Sequence, residues 1–275
     1  MSHFVQQQHT VNAFASSDSW VILSPIEQSI KQKIEAVGVP LKDWDINIYR
    51  GVLTGCNEAF IINTDKRNEI LANCKDEAER KRTEELIRPI LRGRDIKRYG
   101  YVDSGCYLIN THNGIRGRIP RIKIEDYPAV KAHLDKYWDK ISTRADQGDT
   151  PYNLRNCAYL EDFAQPRIVY REIGEAMDAC MVPPNVMINN KLYMVSGKHL
   201  EHLLHFFNSK IFNKIIFAKA NLTGGKGVDF MNIIRVPLPT ECDLSKCKSQ
   251  DVDNILYSFY GLSREEIVYI ENGEA

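Results

Sequence analysis

Apolar positions recur at two different periods along this chain, and each change of period marks an element. In PIEQSIKQKIEAVG (25–38), Ile26, Ile30, Ile34 and Val37 return at spacings of four, four and three. That spacing predicts a helix with one apolar stripe, which Gly38 can end. DINIYRGVLTG (45–55) alternates at Ile46, Ile48 and Tyr49 and runs into a turn, and AFIIN (59–63) reads as the next strand. A hairpin over 45–63 with a tight glycine loop is therefore expected. The polar stretch that follows predicts a helix over roughly 76–88. CYLINT (106–111) reads as a strand and NGIRGRIPRIK (113–123) as a basic loop. In DYPAVKAHLDKYWDKIS (126–142), apolar residues at 130, 134, 137, 138 and 141 predict an amphipathic helix. PRIVYREI (166–173) and KLYMVSG (191–197) are strands, 198–220 is the longest helical pattern, and RVPLP (235–239) is extended. Two short helices close the chain. Strands and helices alternate irregularly, so the fold class is α+β, a mixed or antiparallel sheet with packed helices.

The 275 residues, 43% apolar and 26% charged, suffice for one large domain or two small ones. The divisions expected are 1–44 as a joint segment and helix, 45–240 as the main domain, and 241–275 as a helical tail. No apolar run approaches the roughly 20 residues that span a bilayer. MSHFVQQQHTVNAF lacks the basic-then-apolar order of a signal peptide. Seven cysteines, an odd number with no CxxC pair, suit free thiols in a reducing, cytoplasmic setting.

Charge changes the picture most. The formal net charge is zero, yet residues 80–123 hold 12 Lys and Arg against 4 Asp and Glu, a local +8. LRGRDIKRYGY (91–101) and NGIRGRIPRIK combine arginines with glycines, and the first adds tyrosines. Arginine suits phosphates and guanine edges, and glycine lets backbone N–H groups approach a phosphate. The alternative is a solvated face of surface ion pairs.

Enzyme motifs are incomplete. TGGKGVD (223–229) lacks the spacing and the Ser/Thr of a P-loop, which leaves a flexible loop or a phosphate contact through Lys226. No GxGxxG opens a helix and no GxSxG occurs. VPPN (182–185) has the two prolines of an amino-methyltransferase loop with the wrong flanks. His199, His202 and His205 fall three apart on a helix, where successive positions precess by about 60°, so they do not face one ion. Glu161, Asp162 and Glu172 are nuclease candidates by type alone.

The order of segments resembles the C-terminal specificity domain of TaqI-like and Eco57I-like restriction-modification methyltransferases. The segments are Lys33-Ile34-Glu35, RGVLTGCNEAFII (50–62), IRPILRGRDIKRY (87–99), WDKISTRAD (138–146), YNLRNCAYLEDFAQPRIVYREI (152–173), FFNSKIF (206–212) and RVPLP. The resemblance implies a type IIG-like target recognition domain that reads double-stranded DNA and is not itself catalytic. It implies methyltransferase and endonuclease partners, in the same polypeptide or as a separate subunit, where S-adenosylmethionine and Mg²⁺ would bind. Arg92, Arg94, Lys97, Arg98, Arg116, Arg118 and Lys226 are then expected at phosphates. Thr54, Asn57, Arg155, Arg167 and Arg171 are expected at base edges, with Tyr99 packing or stacking. A metal-dependent nuclease with dispersed acids, or a module that docks an acidic protein, stays open.

Overall fold

The computed structural model describes residues 23–171, 176–217 and 234–272. Helices and several sheets of short strands make the fold α+β. The chain forms two compact units. One comprises Met1–Ile46, Ile173–Asp178 and Gly197–Ala275, the other Asn47–Glu172 and Ala179–Ser196.

In the first unit, helix Pro25–Val37 starts where the sequence places it, because Ser24 and Glu27 form a capping box. The Ser24 N–H donates to Glu27 Oε2 at 2.7 Å. Ile30 and Ile34 of its apolar stripe are buried. Strand β1 (Val39–Pro40) pairs antiparallel with the distant β12 (Arg235–Val236), Val39 opposite Val236. Within the 198–220 pattern a helix covers Leu200–Phe207 and a π-helical stretch Phe212–Phe217, and residues 218–220 lie outside the described residues. Helices Val252–Phe259 and Arg264–Asn272 end the described chain. Lys33 Nζ lies 2.7 Å from Glu266 Oε2, and Tyr269 donates to Glu27 Oε1 at 2.6 Å, tying the last helix to the first.

His202 shows how closely this unit is fitted. Its Nδ1 accepts the Leu244 N–H at 3.1 Å and its Nε2 meets the Pro237 carbonyl at 2.8 Å. A backbone N–H can only donate, so the ring is neutral with its proton on Nε2. Burial pushes its pKa down to about 4.

The second unit holds two four-stranded sheets. One runs β10 (Met187–Ile188), β4 (Ile87–Leu91), β7 (Cys106–Ile109), β3 (Ile61–Asn63). Its β10–β4 pairing is parallel and the other two are antiparallel. The other sheet runs β2 (Ile46–Arg50), β11 (Leu192–Gly197), β8 (Arg167–Arg171), β9 (Ala179–Val182). Side chains such as Phe60, Ile90, Leu108, Val130, Val169 and Met194 fill one core. A small ribbon, β5 (Ile96–Lys97) and β6 (Gly100–Tyr101), completes the unit.

Two expectations need correction. The 45–63 stretch is not a hairpin: β2 lies beside β11 and β3 pairs with β7, in different sheets. Between them Val52 bridges in parallel to Asn189, and Asn57–Phe60 forms a helical turn. The helix over 126–142 breaks into Pro128–Asp135 and Trp138–Ile141. Gly197–Ala275 is grouped in the first unit, where β12 pairs with β1.

Candidate nucleic-acid interface

Charge divides along the two units. The second carries 24 Lys and Arg against 19 Asp and Glu, a net +5, and the first 12 against 17, a net −5. The zero total is therefore a sum of two opposed halves.

Within LRGRDIKRYGY the single acid organises the cations. Asp95 is buried, and its Oδ2 accepts from the Arg92 N–H at 2.9 Å, Arg92 Nε at 3.2 Å and Ser104 Oγ at 3.1 Å. Its own backbone N–H donates to the Arg92 carbonyl and its carbonyl accepts from Val102. The ion pair with Asp95 makes Arg92 part of the loop's frame. Arg94 and Lys97 are exposed and, among the described residues, face no carboxylate partner. Arg98 and Tyr99 form the two-residue turn between β5 and β6. The Arg98 guanidinium lies 5.4 Å from the Tyr99 ring centroid. Tyr99 takes φ 62°, a region that costs a side chain about 1–2 kcal/mol. Its N–H donates to the Ala179 carbonyl at 2.9 Å, which seats the turn on β9.

The second basic loop is a short hairpin. Ile115 and Ile119 exchange backbone hydrogen bonds at 2.8 and 2.9 Å. Gly117, at φ 77°, turns the tip and leaves Arg116 and Arg118 exposed on either side of it. Arg118 pairs with Glu161, whereas Arg116 has no carboxylate partner among the described residues. Arg155 is also exposed and pairs with Asp146 at 3.3 Å. The two loops have separate supports, one on β9 and one on the 156–161 segment.

The residues expected at base edges divide sharply. Arg167 is fully buried. Its guanidinium donates to the carbonyls of Phe163, Gln165, Pro183 and Val186 and lies 4.9 Å from the Phe163 ring centroid. Burial pulls its pKa down to about 10. It fastens a loop to β8 and presents nothing to a base. Thr54 is buried as well, its hydroxyl donating to Asn57 Oδ1 at 2.6 Å. Asn57 itself is exposed, and Arg171 is half-buried at the end of β8. Lys226 lies outside the described residues.

Sequence reasoning missed Arg144, in the WDKISTRAD segment. It is buried, donates to the carbonyls of Thr54, Pro151 and Asn153, and lies 4.3 Å from the Phe60 ring centroid. Desolvation lowers its pKa. Arg144 and Arg167 are buried cations held by carbonyl oxygens, and no linear spacing marks such a role.

A family model described as the TaqI-like C-terminal specificity domain matches residues 88–235, just over half of the chain. The chain belongs to this family of specificity domains. Two solved structures share its fold at low identity. The type IIL restriction-modification enzyme MmeI, solved in complex with DNA, has a TM-score of 0.53 at 14% identity. The type IIG restriction endonuclease BpuSI has 0.52 at 13%. Each similarity covers 84% of this chain but only 35% of MmeI and 28% of BpuSI, so this chain spans about a third of either enzyme or less. No curated protein matches. The matched stretch of the specificity domain contains both basic loops, and both buried arginines as well.

Proposed function

We propose that this specificity domain reads double-stranded DNA for a type IIG-like restriction-modification enzyme and carries no catalytic step of its own. The observation that carries the reading is the pair of basic loops on the +5 unit, inside the stretch that matches the family. Arg94, Lys97 and Arg116 are exposed cations with no carboxylate partner among the described residues, so they can neutralise phosphates at little cost. Arg98 and Arg118 add to the same electrostatic footing. Arg92, ion-paired with Asp95, supports the loop as well. Arg155, Asn57 and Arg171 remain the residues to meet base edges, and Tyr99 packs at the turn. MmeI, solved with DNA, supports the partner assigned here.

Adenine methylation and cleavage belong in this reading to methyltransferase and endonuclease parts, in the same polypeptide or a separate subunit. S-adenosylmethionine and Mg²⁺ would be held there. Among the described residues no three His, Cys, Asp or Glu side chains are placed to hold a metal ion. Of the acids considered for a nuclease, Glu161 pairs with Arg118 and Asp162 accepts from Ser196. No described helix is long and apolar enough to cross a membrane, and a cytoplasmic setting accords with the free thiols of the described cysteines.

The deciding experiment is selection from a randomised duplex pool with the purified chain at near-physiological salt. An enriched motif is expected. Absence of binding at low salt would remove DNA as the partner and favour docking to an acidic protein. Chelator-sensitive cleavage of plasmid DNA by the chain alone would overturn the non-catalytic assignment.

A further inference from the structure

A recess of about 840 Å³ opens beside the arginine hairpin. Arg116, Arg118 and Arg121 line it, together with Asn113, Asp149 and Asn156. The last three form a network whose orientation is fixed by the backbone. The Asp149 N–H donates to Asn113 Oδ1 at 2.9 Å. That contact must be oxygen, so the Asn113 amide nitrogen points the other way. There it donates to Asp149 Oδ1 at 2.9 Å and to Asn156 Oδ1. Asn113 has spent both amide protons inside the protein. A Cβ added at Gly148 would lie 2.6 Å from Asn113 Oδ1, so only glycine there lets the amide sit as it does.

The consequence falls on the two partners. Asn156, with its oxygen held by Asn113, turns its NH₂ donors away from that bond. Asp149, with Oδ1 held, has no hydrogen-bond donor at Oδ2 among the described residues, which leaves that oxygen as an acceptor. Both residues are exposed. One shared nitrogen thus holds a donor and an acceptor side by side.

A phosphate set directly against Asn156 and Asp149 would meet the carboxylate and be repelled, which leaves phosphates to the arginines around the pair. A guanine edge in the major groove offers only acceptors, O6 and N7, and would face the same carboxylate. An adenine edge offers an acceptor at N7 and a donor at N6, the complement of Asn156 and Asp149. We propose that this recess reads an adenine edge, with Asn156 and Asp149 as specificity-determining residues and Asn113 as the residue that positions them. Around it, Arg116 and Arg121 hold the flanking backbone. The inference rests on the reading of the chain as a DNA target recognition domain and names residues that the sequence did not suggest.

The test compares selections from a randomised duplex pool for the intact chain and for Asn156→Ala, Asp149→Asn and Asn113→Ala. Thermal unfolding of each serves as the folding control. The unsubstituted chain is expected to enrich a motif with an adenine at one position. Asn156→Ala and Asp149→Asn should each lose discrimination there by roughly 5- to 150-fold, the value of one bidentate base contact, with the other positions unchanged. Asn113→Ala should give the same loss at the same position. If the substituted chains enrich the unaltered motif, the recess does not read a base, while the DNA-recognition reading stands. Equal loss of affinity on all sequences also overturns the inference, because it marks a backbone contact. If the unsubstituted chain binds DNA but enriches no motif, the recess reads no base. If it binds no duplex at all, the broader reading fails and this one with it.

Discussion

At the scale of single residues, three buried polar groups are anchors rather than chemistry. Arg167 satisfies four carbonyls at once. Arg167→Met leaves those oxygens without a donor, at about 1–3 kcal/mol for each that water cannot reach. Loss of the folded state or a steep fall in the urea midpoint is expected, and Arg167→Lys should restore only part. Asp95→Ala strips the basic loop of the acceptor for three donors, and a loss of about 2–3 kcal/mol in urea unfolding is expected. His202 makes stability depend on pH. Its folded-state pKa is about 4, against about 6.5 when unfolded. Between those values the unfolded chain binds more protons than the folded one. Stability therefore falls as pH drops from about 6.5 to about 4, by up to about 3 kcal/mol from this residue, and levels off below. Urea unfolding across that window should show a shallower slope for His202→Gln. Some slope should remain, because burial lowers His112 and His133 as well.

Elements differ in how they hold their cations. In the ribbon, backbone bonds and the buried Asp95 fix the loop, and Arg94 and Lys97 are left free to act. In the hairpin, the Ile115–Ile119 pair fixes the tip, and Arg116 is exposed with no carboxylate partner among the described residues. Arg94→Ala, Lys97→Ala and Arg116→Ala should each weaken binding about equally on every duplex. Each should also reduce the slope of log K against log salt by about 1. A titration series from low to moderate salt measures this directly. The same substitutions should leave the unfolding midpoint almost unchanged, which separates them from Asp95→Ala. Arg118 would exchange an existing ion pair for a phosphate, so its substitution should change the slope less.

At the scale of the whole molecule, the division of charge gives a neutral chain one unit of net +5, the unit proposed to meet DNA. Neutralising acids of the first unit, as in Glu241→Gln with Glu265→Gln, should leave the salt slope of DNA binding as it is. Adding acids to the second unit should flatten it. The same measurement on both sets tests whether the DNA-facing charge resides in the second unit alone.

The sequence by itself determined the local elements and their charge. Alternation and helical spacing placed the first helix and the strands at 106, 167 and 192 to within a few residues, because these signals lie within one turn or one strand. The +8 of residues 80–123 was equally legible, as was the family through its ordered segments. Only the tertiary structure decided which strands meet. The alternation at 46–49 and 59–63 reads alike whether the two pair with each other or with β11 and β7. It also decided which arginines face water. Arg167 and Arg155 look the same in one dimension, yet four carbonyls enclose the first, whereas the second is exposed and pairs with Asp146. The network of Asn113, Asp149 and Asn156 joins residues up to 43 positions apart. Its free donor and acceptor exist because a backbone N–H fixes one amide, and no spacing along the chain encodes that contact.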